Sequence, residues 1–187
     1  MPESRLAVFV DGPSLYYSAR ALGFDVDFRR LLSWCNQQGS LLRAHYYTTI
    51  FEEREYQNTR PLIDWLDYNG FTVKAKSVRE HDDGEGGRRY RRNLSIEIAV
   101  DAIEIARHVD ALMLFSGDGD LRPAVEAIQR RGVITTVVST IRSQPPMLAD
   151  ELRRQADRVY DLHDLQKEFG RAIRHSDNSI QQTPTTR

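Results

Sequence analysis

The residues of this sequence best suited to chemistry are an aspartate directly after an apolar run and two more in a Gly-Asp-Gly-Asp stretch. Asp11 follows Leu6–Val10 (LAVFV), and Asp118 and Asp120 follow Ala111–Phe115 (ALMLF) in Ser116-Gly117-Asp118-Gly119-Asp120. If the two runs are neighbouring strands, three carboxylates meet at one edge of a sheet. Like charges a few ångströms apart raise one another's pKa or demand a cation. Hard divalent ions such as Mg²⁺ or Mn²⁺ take oxygen ligands and supply that charge. Such an ion activates water and stabilises charge developing on a phosphate. The glycines beside Asp118 allow a phosphate or metal to approach the backbone closely. The same run is also a good turn and helix start, in which Asp120 would cap LRPAVEAIQRR.

The helical stretch Leu94–Arg107 carries Glu97, Asp101 and Glu104 at i, i+4 and i+7 on one face. A solvated acidic stripe fits that spacing. So does a half-buried Asp101 needing a partner, since Ile98, Val100, Ala102 and Ile105 surround it in sequence. Arg88, Arg89, Arg91 and Arg92 crowd one glycine-rich segment, and Arg142 follows Val133–Ser139. Arginine forks suit phosphate oxygens, whereas Asp82, Asp83 and Glu85 would make the run an ordinary solvated charge cluster. The five histidines show neither metal-ligand spacing nor a neighbouring nucleophile. The single cysteine, Cys35, excludes an internal disulfide framework and reads as a half-buried helical thiol. Tyr16, Tyr17, Trp65 and Tyr68 read as core or helix-face aromatics rather than base-stacking platforms.

These residues need elements to position them. Strand signals at Leu6–Val10, Leu42–Ile50, Phe71–Val78, Ala111–Phe115 and Val133–Ser139 alternate with helical patterns. That alternation predicts an α/β fold with a mainly parallel five-stranded sheet covered by helices on both faces. Gly23, Gly39, Gly70 and Gly132 stand where left-handed helix C-termini are wanted, and Asp27 is placed to cap FRRLLSWCNQQ. His81–Asn93 (HDDGEGGRRYRRN) has three glycines and no apolar period, so it reads as an excursion without regular structure. Residues 1–170 are expected to form one domain, and 171–187 a polar, disordered tail. In an open parallel sheet, ligands sit beyond the carboxyl ends of the strands, where Asp11, Asp118 and Asp120 fall.

A chain of 187 residues with 40% hydrophobic residues can bury one sizeable core. Its net charge of -1 announces neither a nucleic-acid nor a membrane partner, so any such binding must come from local patches. No apolar run approaches the ~20 residues that span a bilayer, so a cytoplasmic protein without membrane association is expected.

VFVDGPSLYYSAR, LIDWLDYNGFTV, IAVDAIEIA, LFSGDGDLRPAVEAIQRRGV and VVSTIRSQPPMLADELRRQAD resemble, in order, successive blocks of the NYN domain family, LabA-like (DUF88) group, within the PIN-like nuclease fold. The resemblance runs from about Leu6 to Leu165. It implies a sheet of order 3-2-1-4-5, a divalent metal held by aspartates at the carboxyl edge, and hydrolysis of RNA. Two positions depart from the family pattern. Ser14 stands where the first block usually has asparagine, and Ser95 where an acid usually precedes the central helix. Serine is a weak metal ligand, so both changes are expected to weaken catalysis.

The sequence therefore reads as a metal-dependent ribonuclease-type phosphodiesterase. Asp11, Asp118 and Asp120 would hold Mg²⁺ or Mn²⁺, with Asp101 a fourth catalytic acid. Ser14, Arg91, Arg92, Ser95, Ser116 and Arg142 would meet single-stranded or structured RNA. A homodimer is left open. The alternative is a catalytically degenerate relative that binds RNA, a nucleotide or a protein partner in a regulatory role. A haloacid-dehalogenase-like phosphatase would need a second aspartate two residues after Asp11, and Pro13 occupies that place.

Overall fold

The computed structural model describes residues 4–50, 53–77, 81–82, 88–89 and 93–173. Its centre is one parallel sheet of six strands: β1 (Arg5–Asp11), β2 (Ser40–Ile50), β3 (Phe71–Ser77), β4 (Ala111–Phe115), β5 (Ile134–Ser139) and β6 (Arg158–Asp161). The spatial order is 3-2-1-4-5-6. The five expected strands and their order hold, and β6 extends the sheet by one. β6 escaped notice because its four residues, RVYD, sit at an edge and are only partly covered, so no apolar alternation marks them. Asp157 anchors it, accepting hydrogen bonds from Thr135 N–H at 2.7 Å and Thr135 Oγ1 at 2.9 Å.

Strand alternation divides the core in two. Leu6, Val8 and Val10 pack with Leu15, Leu31, Trp34, Leu66 and Phe169. These belong to or adjoin α1 (Gly12–Ala21), α2 (Phe28–Asn36), α3 (Glu53–Tyr68) and α7 (Gln166–Phe169). Ala7 and Phe9 face the opposite layer with Ile98, Val125, Ile128 and Leu152, from α4 (Ser95–Ile105), α5 (Arg122–Gln129) and α6 (Asp150–Gln155). Each fully buried aliphatic or aromatic side chain contributes about 1.5–3 kcal/mol, and truncating Ile128 to alanine would cost roughly 2–5 kcal/mol.

Local signals account for several helix ends. Asp27 accepts from the N–H groups of Arg29 and Arg30 at 3.0 and 3.1 Å, so it caps α2 as expected. Leu31, Trp34 and Cys35, spaced three and four apart, turn inward from that helix. Cys35 is wholly rather than half buried, and burial pushes its thiol up to about 12. Gly23, Gly70 and Gly132 take positive φ after helices, but Gly39 does not. A Cβ at Gly39 would lie 2.7 Å from the Ser4 carbonyl oxygen, so close approach rather than handedness requires glycine there.

Residues read as irregular also pair. His81–Asp82 runs antiparallel to Arg88–Arg89, arms too short to carry a periodic signal. Asp25–Val26 pairs with Gly170–Arg171, so ordered structure continues past residue 170. Residues 174–187 of the expected tail lie outside the described residues, as do Arg91 and Arg92. No helix among the described residues is long and apolar enough to cross a membrane.

Candidate functional site

β1 and β4 are adjacent, with Val10 opposite Phe115, so the chain leaves both strands side by side at the carboxyl edge. Asp11 caps α1 by accepting from Ser14 N–H at 3.2 Å. Gly12 is compelled by space, because a Cβ there would lie 2.6 Å from both the Tyr46 hydroxyl and the Tyr47 carbonyl oxygen. Ser116, buried beside Asp11, donates its hydroxyl to Asp11 Oδ2 at 3.0 Å and accepts from Asp118 N–H at 3.2 Å. One hydroxyl thus ties the first aspartate to the loop carrying the second. Ser14 Oγ accepts from Gly117 N–H at 3.1 Å and closes the ring from the other side.

Asp118 binds inward and forward. Its Oδ2 accepts from Ser95 Oγ, and its Oδ1 accepts from Asp120 N–H at 3.0 Å. Asp118, not Asp120, is therefore the capping residue. The backbone tightens into a 3-10 turn at Gly119–Leu121, and α5 begins at Arg122 without a side-chain cap. Asp120 lies inside that turn and accepts from Asn93 Nδ2 at 3.0 Å. Asn93 Oδ1 in turn accepts from Ser95 N–H at 2.7 Å, an Asx-type turn into α4. Asn93 was not singled out by sequence, although asparagine two residues before a helix is the available signal.

Exposure grades along this series: Asp11 is 8% exposed, Asp118 half-buried and Asp120 open to solvent. Burial raises the Asp11 pKa above its ordinary value. The hydrogen bonds from Ser14 and Ser116 oppose that shift, and the charge of Asp118 adds to it. Among the described residues none of the three aspartates forms an ion pair, so their negative charge is uncompensated there. No group of three or more carboxylate, imidazole or thiol side chains among the described residues is gathered as a metal cage. The arrangement is a coupled pair, Asp11 and Asp118, with Asp120 held aside by Asn93. That donor set suits Mg²⁺, which is bound through one or two carboxylates and completes its shell with water and substrate phosphate.

The other sequence-selected residues fall elsewhere. Asp101 accepts from the Tyr47 hydroxyl at 2.5 Å and Lys74 Nζ at 2.6 Å, and is only 18% exposed. It is thus the half-buried carboxylate with a partner, not part of a solvated stripe. Burial opposes its ionisation, yet the bonds from Lys74 and Tyr47 hold its pKa below the usual carboxylate range. Glu97 pairs with Lys76 at 2.6 Å, making with Lys74–Asp101 two rungs between β3 and α4. Arg142 forks onto Asp164 at 2.7 and 3.1 Å and also meets His163, so its guanidinium is committed to the turn after β6. Of the ten sequence-selected residues, Asp11, Ser14, Ser95, Ser116, Asp118 and Asp120 come together, and Asp101 and Arg142 do not.

Comparison with known proteins agrees with this architecture. The model of the NYN domain family matches residues 5–164. "Low amplitude and bright protein LabA" of Synechococcus elongatus is 37% identical over 166 residues, covering 87% of this chain and 86% of that protein. The crystal structure of VPA0982, a protein of unknown function from Vibrio parahaemolyticus, superposes with a TM-score of 0.74 at 27% identity, covering 90% of this chain and 97% of the other. By a match spanning nearly the whole folded region and a relative aligned along most of both chains, this chain belongs to the NYN domain family.

Proposed function

We propose that the chain hydrolyses RNA phosphodiester bonds at the carboxyl edge of β1 and β4. The observation that carries this reading is the Asp11–Ser116–Asp118 relay, which ties together two carboxylates beyond neighbouring strand ends, neither of them ion-paired among the described residues. Membership of a PIN-like nuclease family supports RNA as the substrate class. Asp11 and Asp118 would hold Mg²⁺ or Mn²⁺, which when bound lowers the pKa of water and offsets charge on the phosphate. Ser116 and Ser14 fix the two carboxylates relative to each other before substrate arrives. Asp120, exposed and hydrogen-bonded by Asn93, would accept the proton of the attacking water.

One observation favours a second reading, a regulatory RNA binder without turnover. Ser95 touches Asp118 at the position where the family pattern supplies an acid, so this site has one carboxylate fewer. A single assay separates the two. Purified full-length chain is incubated with labelled single-stranded RNA and Mn²⁺ or Mg²⁺, beside an Asp118→Asn variant. Cleavage abolished by chelation and by the substitution supports hydrolysis. RNA binding without any cleavage selects the regulatory reading, and neither binding nor cleavage overturns both.

A further inference from the structure

α4 turns Ser95, Ile98 and Ala102 inward, yet its apolar residues do not end there. At 3.6 residues per turn, Ile96, Val100 and Ile103 fall within about 60° of one another on the outward side. The αR conformation of Ala106 carries Arg107 onto the same line. Ile96 is 73% exposed and Val100 59%, while Ile103 is partly covered. The outward residues of α2 are Arg29, Arg30, Ser33 and Asn36, and those of α5 include Arg122 and Arg130. A surface helix ordinarily shows polar side chains on that side, and one that is apolar all round is a buried helix. A single exposed aliphatic side chain needs no explanation, but a stripe of them marks a contact surface.

The two ends of this stripe carry opposite charges. At the C-terminal end Arg107 has no ion pair among the described residues, and its Nε donates to the Glu104 carbonyl at 3.2 Å. At the N-terminal end Asn93 holds Asp120, which is exposed and likewise without an ion pair among the described residues. Positions 93 and 107 each stand seven residues from Val100. A second copy laid antiparallel about a two-fold axis at Val100 therefore sets position 93 of one chain opposite position 107 of the other. Arg107 then meets Asp120 of the partner subunit, and symmetry repeats the pair at the other end. Ile96 packs against the partner's Val100 and the partner's Ile103. A parallel arrangement would instead set the two arginines against each other, so the face is complementary to itself in one orientation only.

We propose that the outward face of α4 joins two copies of this chain, packed antiparallel about a two-fold axis at Val100, so that Arg107 of each reaches Asp120 beside the aspartates of the other. Each site thereby gains a cation, and the guanidinium keeps Asp120 ionised. The inference stands independently of the substrate. One helix pair buries less than the standard ~1,600 Å² of a stable interface, so the dimer should dissociate on dilution.

Sedimentation velocity of the full chain over a wide concentration range is the test. The mass should move from 21.6 kDa toward twice that value as concentration rises. Val100→Asp sets two carboxylates against each other at the axis and should raise the dimer Kd at least about tenfold. Tyr68→Asp, at a side chain 95% exposed on α3, should leave association unchanged. Arg107→Asp and Asp120→Arg should each remain monomeric where the parent is dimeric, because each variant faces a like charge in its own copy. An equimolar mixture of the two should dimerise, since both contacts of the mixed pair are again opposite in sign, and that recovery excludes misfolding. A parent that stays at 21.6 kDa up to its solubility limit overturns self-association and leaves the face to a different protein. A dimer that survives Val100→Asp lies elsewhere on the chain and overturns the proposal. Charge variants that dimerise like the parent, or that fail to recover when mixed, overturn the antiparallel pairing of Arg107 with Asp120.

Discussion

The Ser95 hydroxyl donates to Oδ2 of Asp118, while the Ser95 N–H is held by the Asn93 side chain. A carboxylate at position 95 would therefore be delivered against Asp118 from the first residue of α4. Ser95 is 4% exposed, so Ser95→Asp should lower stability in chelator by about 1–3 kcal/mol, less a few tenths from the helix dipole. Millimolar Mn²⁺ should restore it, since an ion at 100 times its Kd adds about 2.7 kcal/mol. Thermal melts with and without Mn²⁺ check this. A variant indifferent to Mn²⁺ would show that position 95 does not reach the ion.

Ser116 is the only bridge from Asp11 Oδ2 to the Asp118 amide among the described residues. Ser116→Ala strands a buried acceptor and a part-buried donor, which should cost roughly 1–3 kcal/mol in urea unfolding. Loss well under 1 kcal/mol would mean that water replaces the hydroxyl.

Asp11 predicts an inverted pH dependence. Its folded pKa is raised above 3.8, chiefly by burial, so ionising it works against the fold. Stability from the neutral form is present below about 3.8 and is lost as pH rises through the folded value. Asp11→Asn keeps an N-cap and removes the charge, so in chelator it should raise the melting temperature at pH 7. The gain should vanish toward pH 3. A substitution that destabilises at pH 7 without metal would contradict the electrostatic account.

Asp101 gives the opposite sign. Although burial disfavours its charge, Lys74 and Tyr47 hold its folded pKa below 3.8, so it stabilises above that value and loses this as pH falls through the folded one. Tyr47→Phe fits the buried ring and removes one donor, and should cost about 1 kcal/mol at pH 7. The difference from wild type should narrow below pH 3.8. Urea midpoints at pH 7 and pH 3 measure both.

What was legible in the sequence was whatever a few consecutive residues encode. LAVFV before Asp11 and ALMLF before Ser116 announce buried strands, and adjacency of their ends brought six of the site residues together. Partnerships across long separations left no such trace. Lys74 and Asp101 meet only because β3 lies beside α4, and Arg142 turned to Asp164 because β6 returns the chain there. The stripe Glu97–Asp101 read equally well as solvated or as half-buried for the same reason, its neutralising lysines belonging to another element. β6 itself was invisible, being four residues long and half exposed.

The order 3-2-1-4-5-6 places the oldest-made strand at the middle of the sheet, between β2 and β4. During synthesis β1 gains its first neighbour by Ile50, but its other edge waits for Ala111–Phe115. At about 5–20 residues per second, that leaves an apolar, unpaired edge on the ribosome for several seconds. A nascent chain stalled before residue 111 should accordingly be the most aggregation-prone stage and the one that most engages chaperones, whereas one extended past α5 should not.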